Sequence, residues 1–145
     1  MTVPHCIRLQ GPWQVIPPGG DAATMPIDIR IPATWQSLFG DIAGTAIFQR
    51  RFNIPTQLEE QDRVLIRVPD DAGEISRCSL NGIALSPCEA DPQTFEITAH
   101  LREYNHLEIQ LTFIPTDKTQ ETGGLWKPVL LEIHASTSRS QHQST

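Results

Sequence analysis

At 145 residues the chain has room for one domain, or one domain and a tail, and is long enough to bury a two-layer core without metals or disulfides. Its net charge of −6, with no cluster of Lys or Arg, argues against a nucleic-acid partner, because affinity for a phosphate backbone rests on clustered cations. Apolar runs such as "VLL" are far too short to cross a bilayer, and "MTVPHCIRLQGPW" holds no continuous apolar signal core, so no membrane partner is expected and the expected location is the cytoplasm.

In chain order, alternation of period two dominates, the pattern of strands buried on one face. Residues 7–9 read as a short strand, and Trp13 in "LQGPWQV" as a core residue of the opening strand. A further strand covers 27–31. In "IPATWQ", Trp35 precedes a loop and either packs as a core residue or loop anchor, the preferred reading, or contacts a ligand. The strand over 46–54 breaks the pattern, since Phe48, Phe52 and Ile54 share a parity with Arg50. Either Arg50 reaches a carboxylate at the core edge, which is the preferred reading, or a bulge shifts the register.

"RVLIRV" puts Val64, Ile66 and Val68 opposite Arg63 and Arg67. After a strand over 74–80, "LNGIAL" sets Asn81-Gly82 at the positive φ angles of a type I′ turn, which joins 78–80 to 83–85 as a hairpin. Leu80 facing inward carries Cys78 inward as a packing residue. A strand covers 94–97, and 99–103 suits a single turn of helix. "HLEIQLTFI" places Leu107, Ile109, Leu111 and Phe113 on one face, with Glu108, Gln110 and Thr112 on the other. "VLLEIHA" turns Val129, Leu131 and Ile133 inward and leaves Glu132 and His134 outside. Leu111 and Ile133 are expected to be fully buried.

No stretch of twelve residues has a helical period, and most of the 12 prolines and 9 glycines fall between the runs. The result is an all-β chain, an antiparallel sandwich or barrel, with one domain over 1–135 and a disordered polar tail, "STSRSQHQST", over 136–145.

Chemistry-bearing patterns are scarce. Glu59-Glu60 and Asp70-Asp71 lie in turns, where adjacent carboxylates cap backbone amides or sit in water. The five histidines have no ligand spacing, and no Ser, Cys or Lys stands in a nucleophile motif. Cys6, Cys78 and Cys88 form neither an even framework nor a CxxC, so they read as reduced thiols. Gly19-Gly20 and Gly123-Gly124 lack the surroundings of a phosphate cradle. No catalytic residue, metal or cofactor is expected.

Several segments in order do carry a resemblance: "LQGPWQV", "IPATWQ", "GTAIFQRRFNIP", "RVLIRVPDDAGEISRCSLNGIAL", "TFEITAHLREYNHLEIQL" and "GGLWKPVLLEI". Together they resemble the N-terminal sugar-binding domain of glycoside hydrolase family 2, which includes β-galactosidases, β-glucuronidases and β-mannosidases. The resemblance implies a jelly-roll β-sandwich of the galactose-binding-domain type. In that family an immunoglobulin-like sandwich and a barrel with two catalytic carboxylates follow, and the chain printed here has neither, so an enzyme is not expected. The chain departs from the family at "SPCEADPQ", which replaces a loop rich in glycine and aromatic residues.

What the resemblance implies is a non-catalytic carbohydrate-binding module, free-standing or beside a separate glycoside hydrolase. The alternative is an interaction or assembly protein, including self-association, that kept the sandwich without the ligand. Sugars stack apolar faces on Trp while Asp and Glu accept from their hydroxyls. The resemblance points to the loops 36–44, 86–93 and 115–124 as a site. The candidate residues are Trp35, Asp41, Glu89, Asp91, Asp117, Glu121 and Trp126, with Trp126 either packing against a loop or stacking on a ligand.

Overall fold

The computed structural model describes residues 5–9, 12–20, 24–31, 33–40, 42–56, 58–69, 73–89, 91–114 and 128–135. Two antiparallel sheets face each other. The six-stranded one runs, edge to edge, β3 (Ile27–Ile29), β2 (Trp13–Ile16), β4 (Gly44–Asn53), β10 (Tyr104–Phe113), β6 (Glu74–Leu80) and β7 (Ile83–Ala84). The five-stranded one runs β1 (His5–Arg8), β11 (Leu130–His134), β5 (Arg63–Arg67), β9 (Asp91–Glu96) and β8 (Pro87–Cys88). This is the expected all-β sandwich.

Alternation places the core. Leu107, Ile109 and Leu111 of β10 are fully buried with Ala46 and Phe48 of β4, and meet Val64, Ile66 and Leu131 from the other sheet in one cluster. Trp13 is also fully buried, its indole N–H donating to the Leu9 carbonyl at 2.7 Å. The Asn81-Gly82 turn forms as its chemistry requires, with φ of 55° and 83° and Leu80 opposite Ile83. Cys78 points inward, and burial pushes its thiol up to about 12, so it is inert at neutral pH.

The bulge alternative for the Arg50 strand is excluded. β4 pairs with β10 without a break from Asn53↔Tyr104 to Gly44↔Phe113. The irregularity lies on the far side of β10, where Gln110 faces Arg77 and Leu111 faces Ile75, leaving Ser76 as the extra residue.

Four expectations are corrected. Ile133 is half-buried, because it sits near the end of β11 beside the short edge strand β1, opposite His5. Glu132 is 6% exposed although alternation turns it away from the core. It is covered by its own partners: Arg67 Nε donates to it at 2.6 Å and His134 Nε2 lies at 3.1 Å. Residues 35–39 form a helix, α1 (Trp35–Phe39). Five residues are too few to show a period, and capping defines the element instead: Thr34 Oγ1 accepts from the Ser37 amide, and Gly40 closes the turn at φ 72°. The segment 86–93 is largely strand, since β8 returns onto β9 and Cys88 faces Asp91. The tail over 136–145 lies outside the described residues.

Candidate functional site

The outer faces of the two sheets differ in how their charges are matched. On the five-stranded sheet every arginine of β5 has a carboxylate. Arg63 grips both oxygens of Glu96, at 2.9 and 3.2 Å, and Arg67 bridges Glu132 and Asp91. The Arg67 bonds hold Glu132 below the usual carboxylate range, and the Gln93 amide, the Thr94 hydroxyl and Arg67 do the same for Asp91. The outer face of β5 is electrostatically complete.

The six-stranded sheet is not. Its outward positions form rows set by the register. Gln14 lies opposite Asp28 on one side and Gln49 on the other, and Gln49 lies opposite Glu108. Gln14 Nε2 donates to Asp28 at 3.1 Å and Gln49 Nε2 to Glu108 at 2.9 Å, so the first row is a line of coupled amides and carboxylates. One step along the strands the next row holds Arg30, Pro12, Arg51 and His106, with Arg51 and His106 directly paired.

That second row opens into a cleft for a local reason. β2 pairs with β4 only over Gln14–Ile16, and Pro12, just before the strand, has no amide proton to extend the ladder. β4 continues to Asn53 with β10 along one side and, among the described residues, no strand along the other. The gap is about 1030 Å³, at the upper end of the roughly 300–1,000 Å³ range of ligand sites. Its walls are Ile29, Arg30 and Ile31 on one side and Gln49, Arg50 and Arg51 on the other.

The charges in it are predominantly positive. Arg30 and Arg51 make no side-chain hydrogen bond or ion pair among the described residues. Arg50 takes the inward parity at this edge, donates to the Arg51 carbonyl, and has its guanidinium pushed down by burial. Among the described residues Asp28 is the one carboxylate in the lining. His106 is held in place from behind: its amide donates to Asn81 Oδ1 at 2.9 Å, and Asn81 Nδ2 bonds to Asn105 Oδ1 at 3.2 Å. Asn105, buried to 3% exposure, accepts from the Arg102 amide and donates to the Arg102 and Phe52 carbonyls, which fixes the start of β10.

The residues singled out in the sequence are not gathered in this cleft. Trp35 is fully buried, edge-on to Phe39 and tilted against Phe113, with its indole N–H on the Ile42 carbonyl at 2.7 Å. It has no free face for a sugar, which corrects its candidacy as a stacking residue, and it lies toward the opposite end of β10 from His106. Glu89 is exposed in the turn between β8 and β9, and Asp91 is committed to Arg67, Thr94 and the Gln93 amide. Asp41, Asp117, Glu121 and Trp126 lie outside the described residues. The cleft residues Gln14, Asp28, Arg30, Gln49, Arg51 and His106 carry no motif. Their signal is outward parity on separate strands, and register alone brings them together. Among the described residues no group of three or more His, Cys, Asp or Glu could hold a metal ion, and no helix is long and apolar enough to cross a membrane.

No family model matches the chain, and no curated protein matches it. Solved structures do. The β-D-glucuronidase of Dictyoglomus thermophilum superposes with a TM-score of 0.69 at 15% identity, over 92% of this chain and 28% of that one. A β-glucuronidase from glycoside hydrolase family 2 gives 0.65 at 17%, over 92% and 18%. A β-galactosidase described as putative, from Bacteroides fragilis, gives 0.66 at 17%, over 91% and 23%. The fold is therefore that of a β-sandwich domain found in family 2 glycoside hydrolases, as the sequence resemblance implies. The chain spans less than a third of the length of the structures it matches.

Proposed function

We propose that the chain is a non-catalytic carbohydrate-binding module. The observation that carries this reading is the composition of the cleft between β3 and β4. Pro12, Ile29 and Ile31 supply apolar surface for the C–H faces of a sugar, while Gln14, Asp28 and Gln49 can exchange hydrogen bonds with its hydroxyls. Among the described residues the cleft does not set two carboxyl groups across a bond, as hydrolysis requires. A glycosidase sets two carboxyl groups about 5–10 Å apart across the scissile bond. Asp28 and Glu108 stand three strands apart, about 14 Å between backbones at ~4.8 Å per strand, and each is occupied by a glutamine amide. Binding by a shallow polar cleft is expected to be weak, with a Kd of about 0.1–10 mM. Saturation-transfer NMR against a panel of neutral and charged saccharides tests it: transfer to at least one sugar at millimolar concentration is expected, and silence across the panel to tens of millimolar contradicts it.

A second reading, an interaction or assembly protein, has its own observation. Met25, Ile27 and Ile42 are 81%, 52% and 57% exposed, beside an apolar groove of about 290 Å³ between β3 and α1. A clustered apolar edge of this kind fits a second protein surface. Light scattering separates the two readings: a concentration-dependent dimer that Ile27→Ser dissolves would favour assembly.

A further inference from the structure

Resting on the carbohydrate-binding reading, we propose that the cleft selects an acidic sugar, a uronate, whose carboxylate is held between Arg30 and Arg51. The argument begins with the imbalance of charge. The protein carries a net −6, yet among the described residues the cleft lining brings together Arg30 and Arg51 beside one carboxylate, Asp28. On β5, Arg63 and Arg67 are matched by Glu96, Asp91 and Glu132, while Arg8 on β1 and Arg77 on β6 stand singly on exposed faces away from the cleft. Arg30 and Arg51 have no such match among the described residues.

The geometry makes the two arginines a pair. They sit in one outward row on β4 and on the continuation of β3, with only the end of the β2 line between them. Two strand spacings separate their backbones, about 10 Å, a gap that two guanidinium arms can close around one small group. A planar guanidinium fork matches a carboxylate in bidentate fashion, and such charge-assisted bonds are about twice as strong as neutral ones. Arg50 adds positive potential from the inner side of the same wall, and burial already disfavours its charge there, a cost that a bound anion would offset.

The remaining lining suits a sugar ring better than a bare anion. Asp28 and the amides of Gln14 and Gln49 lie in the adjacent row with hydrogen-bonding capacity left over for hydroxyls beyond the Gln14–Asp28 and Gln49–Glu108 bonds, whereas Asp28 would repel a second negative charge. A sulfate or phosphate ester would engage the same arginines, so carboxylate and ester are separated by experiment.

The test is titration of the full chain, by calorimetry or NMR, with glucuronate, galacturonate, their neutral parent sugars, glucuronamide and glucose 6-sulfate. The expected result is a uronate bound about 10- to 100-fold more tightly than its neutral parent and its amide, with affinity falling as salt rises. Arg30→Gln with Arg51→Gln should remove that preference while the melting curve stays unchanged. Arg77→Gln, a single loss of charge on the exposed face of β6 outside the cleft, should leave it intact, whereas Arg30→Gln or Arg51→Gln made alone should weaken it. Equal affinity for glucuronate and glucose overturns the inference and leaves the carbohydrate reading standing. Preference for the sulfate over the uronate overturns the carboxylate assignment, and equal weakening by Arg77→Gln overturns the location. Absence of binding to every sugar overturns both this inference and the reading beneath it.

Discussion

Glu132 shows how a single residue can defeat a correct local pattern. Alternation turns it away from the core, yet it is nearly as buried as a core residue because Arg67 and His134 close over its carboxylate. The Arg67 hydrogen bonds hold it below the ordinary carboxylate value, with His134 adding to the effect. The sign of its contribution follows. A carboxyl with a depressed folded pKa stabilises the fold at pH values above its unfolded pKa, near 4.5, and that contribution is lost as pH falls through the lower folded value. Glu96 and Asp91 are shifted the same way by Arg63 and by the Gln93 amide respectively. Chemical denaturation should therefore show stability level from pH 7 to about 5 and falling below about 4. Glu132→Gln should lower stability at pH 7 and flatten the acid limb. An acid limb as steep as the parent's would show that Glu132 is not a source of the pH dependence.

Among the elements, β10 is the most legible and the most consequential. Four apolar residues at period two, read from "HLEIQLTFI", are all buried, and the strand pairs along ten residues with β4 and six with β6. Leu111→Ala should cost about 2–5 kcal/mol through an unfilled cavity at the centre of the sandwich. A loss under about 1 kcal/mol in a urea melt would mean that Leu111 is not where its burial puts it. Other elements were readable only by a different signal. The Asn81-Gly82 hairpin follows from turn chemistry, whereas the sequence over α1 reads as loop, because a Thr cap and a Gly stop enclose only five residues. Ile133 keeps the correct parity but lies too near the strand end to be sealed. The β8–β9 return left no trace of alternation, because Pro87–Cys88 is a two-residue strand. The site was less legible still. Arg30, Arg51 and His106 are far apart in the chain, and only the pairing of β4 with β10 and the early end of β2 bring them to one cleft. Periodicity assigns a face to each residue, whereas a site requires the order of strands and their register.

For the whole molecule, two kinds of surface coexist: a charged cleft over β3, β2, β4 and β10, and an apolar edge around Met25, Ile27 and Ile42. The first suits a small polar ligand and the second another protein surface, and Ile29 of β3 lines both the cleft and the apolar groove. The matched structures are longer chains in which a sandwich of this fold makes up under a third of the length. The fold therefore leaves the choice between binding and assembly to these two surfaces. Amide and side-chain NMR mapping during titration with the tightest-binding saccharide from the panel decides it most directly. The account expects shifts concentrated at Gln14, Asp28, Arg30, Gln49, Arg51 and His106, saturating at millimolar sugar. Shifts confined to Met25, Ile27 and Ile42 that grow with protein concentration, with the cleft resonances unmoved, would contradict it.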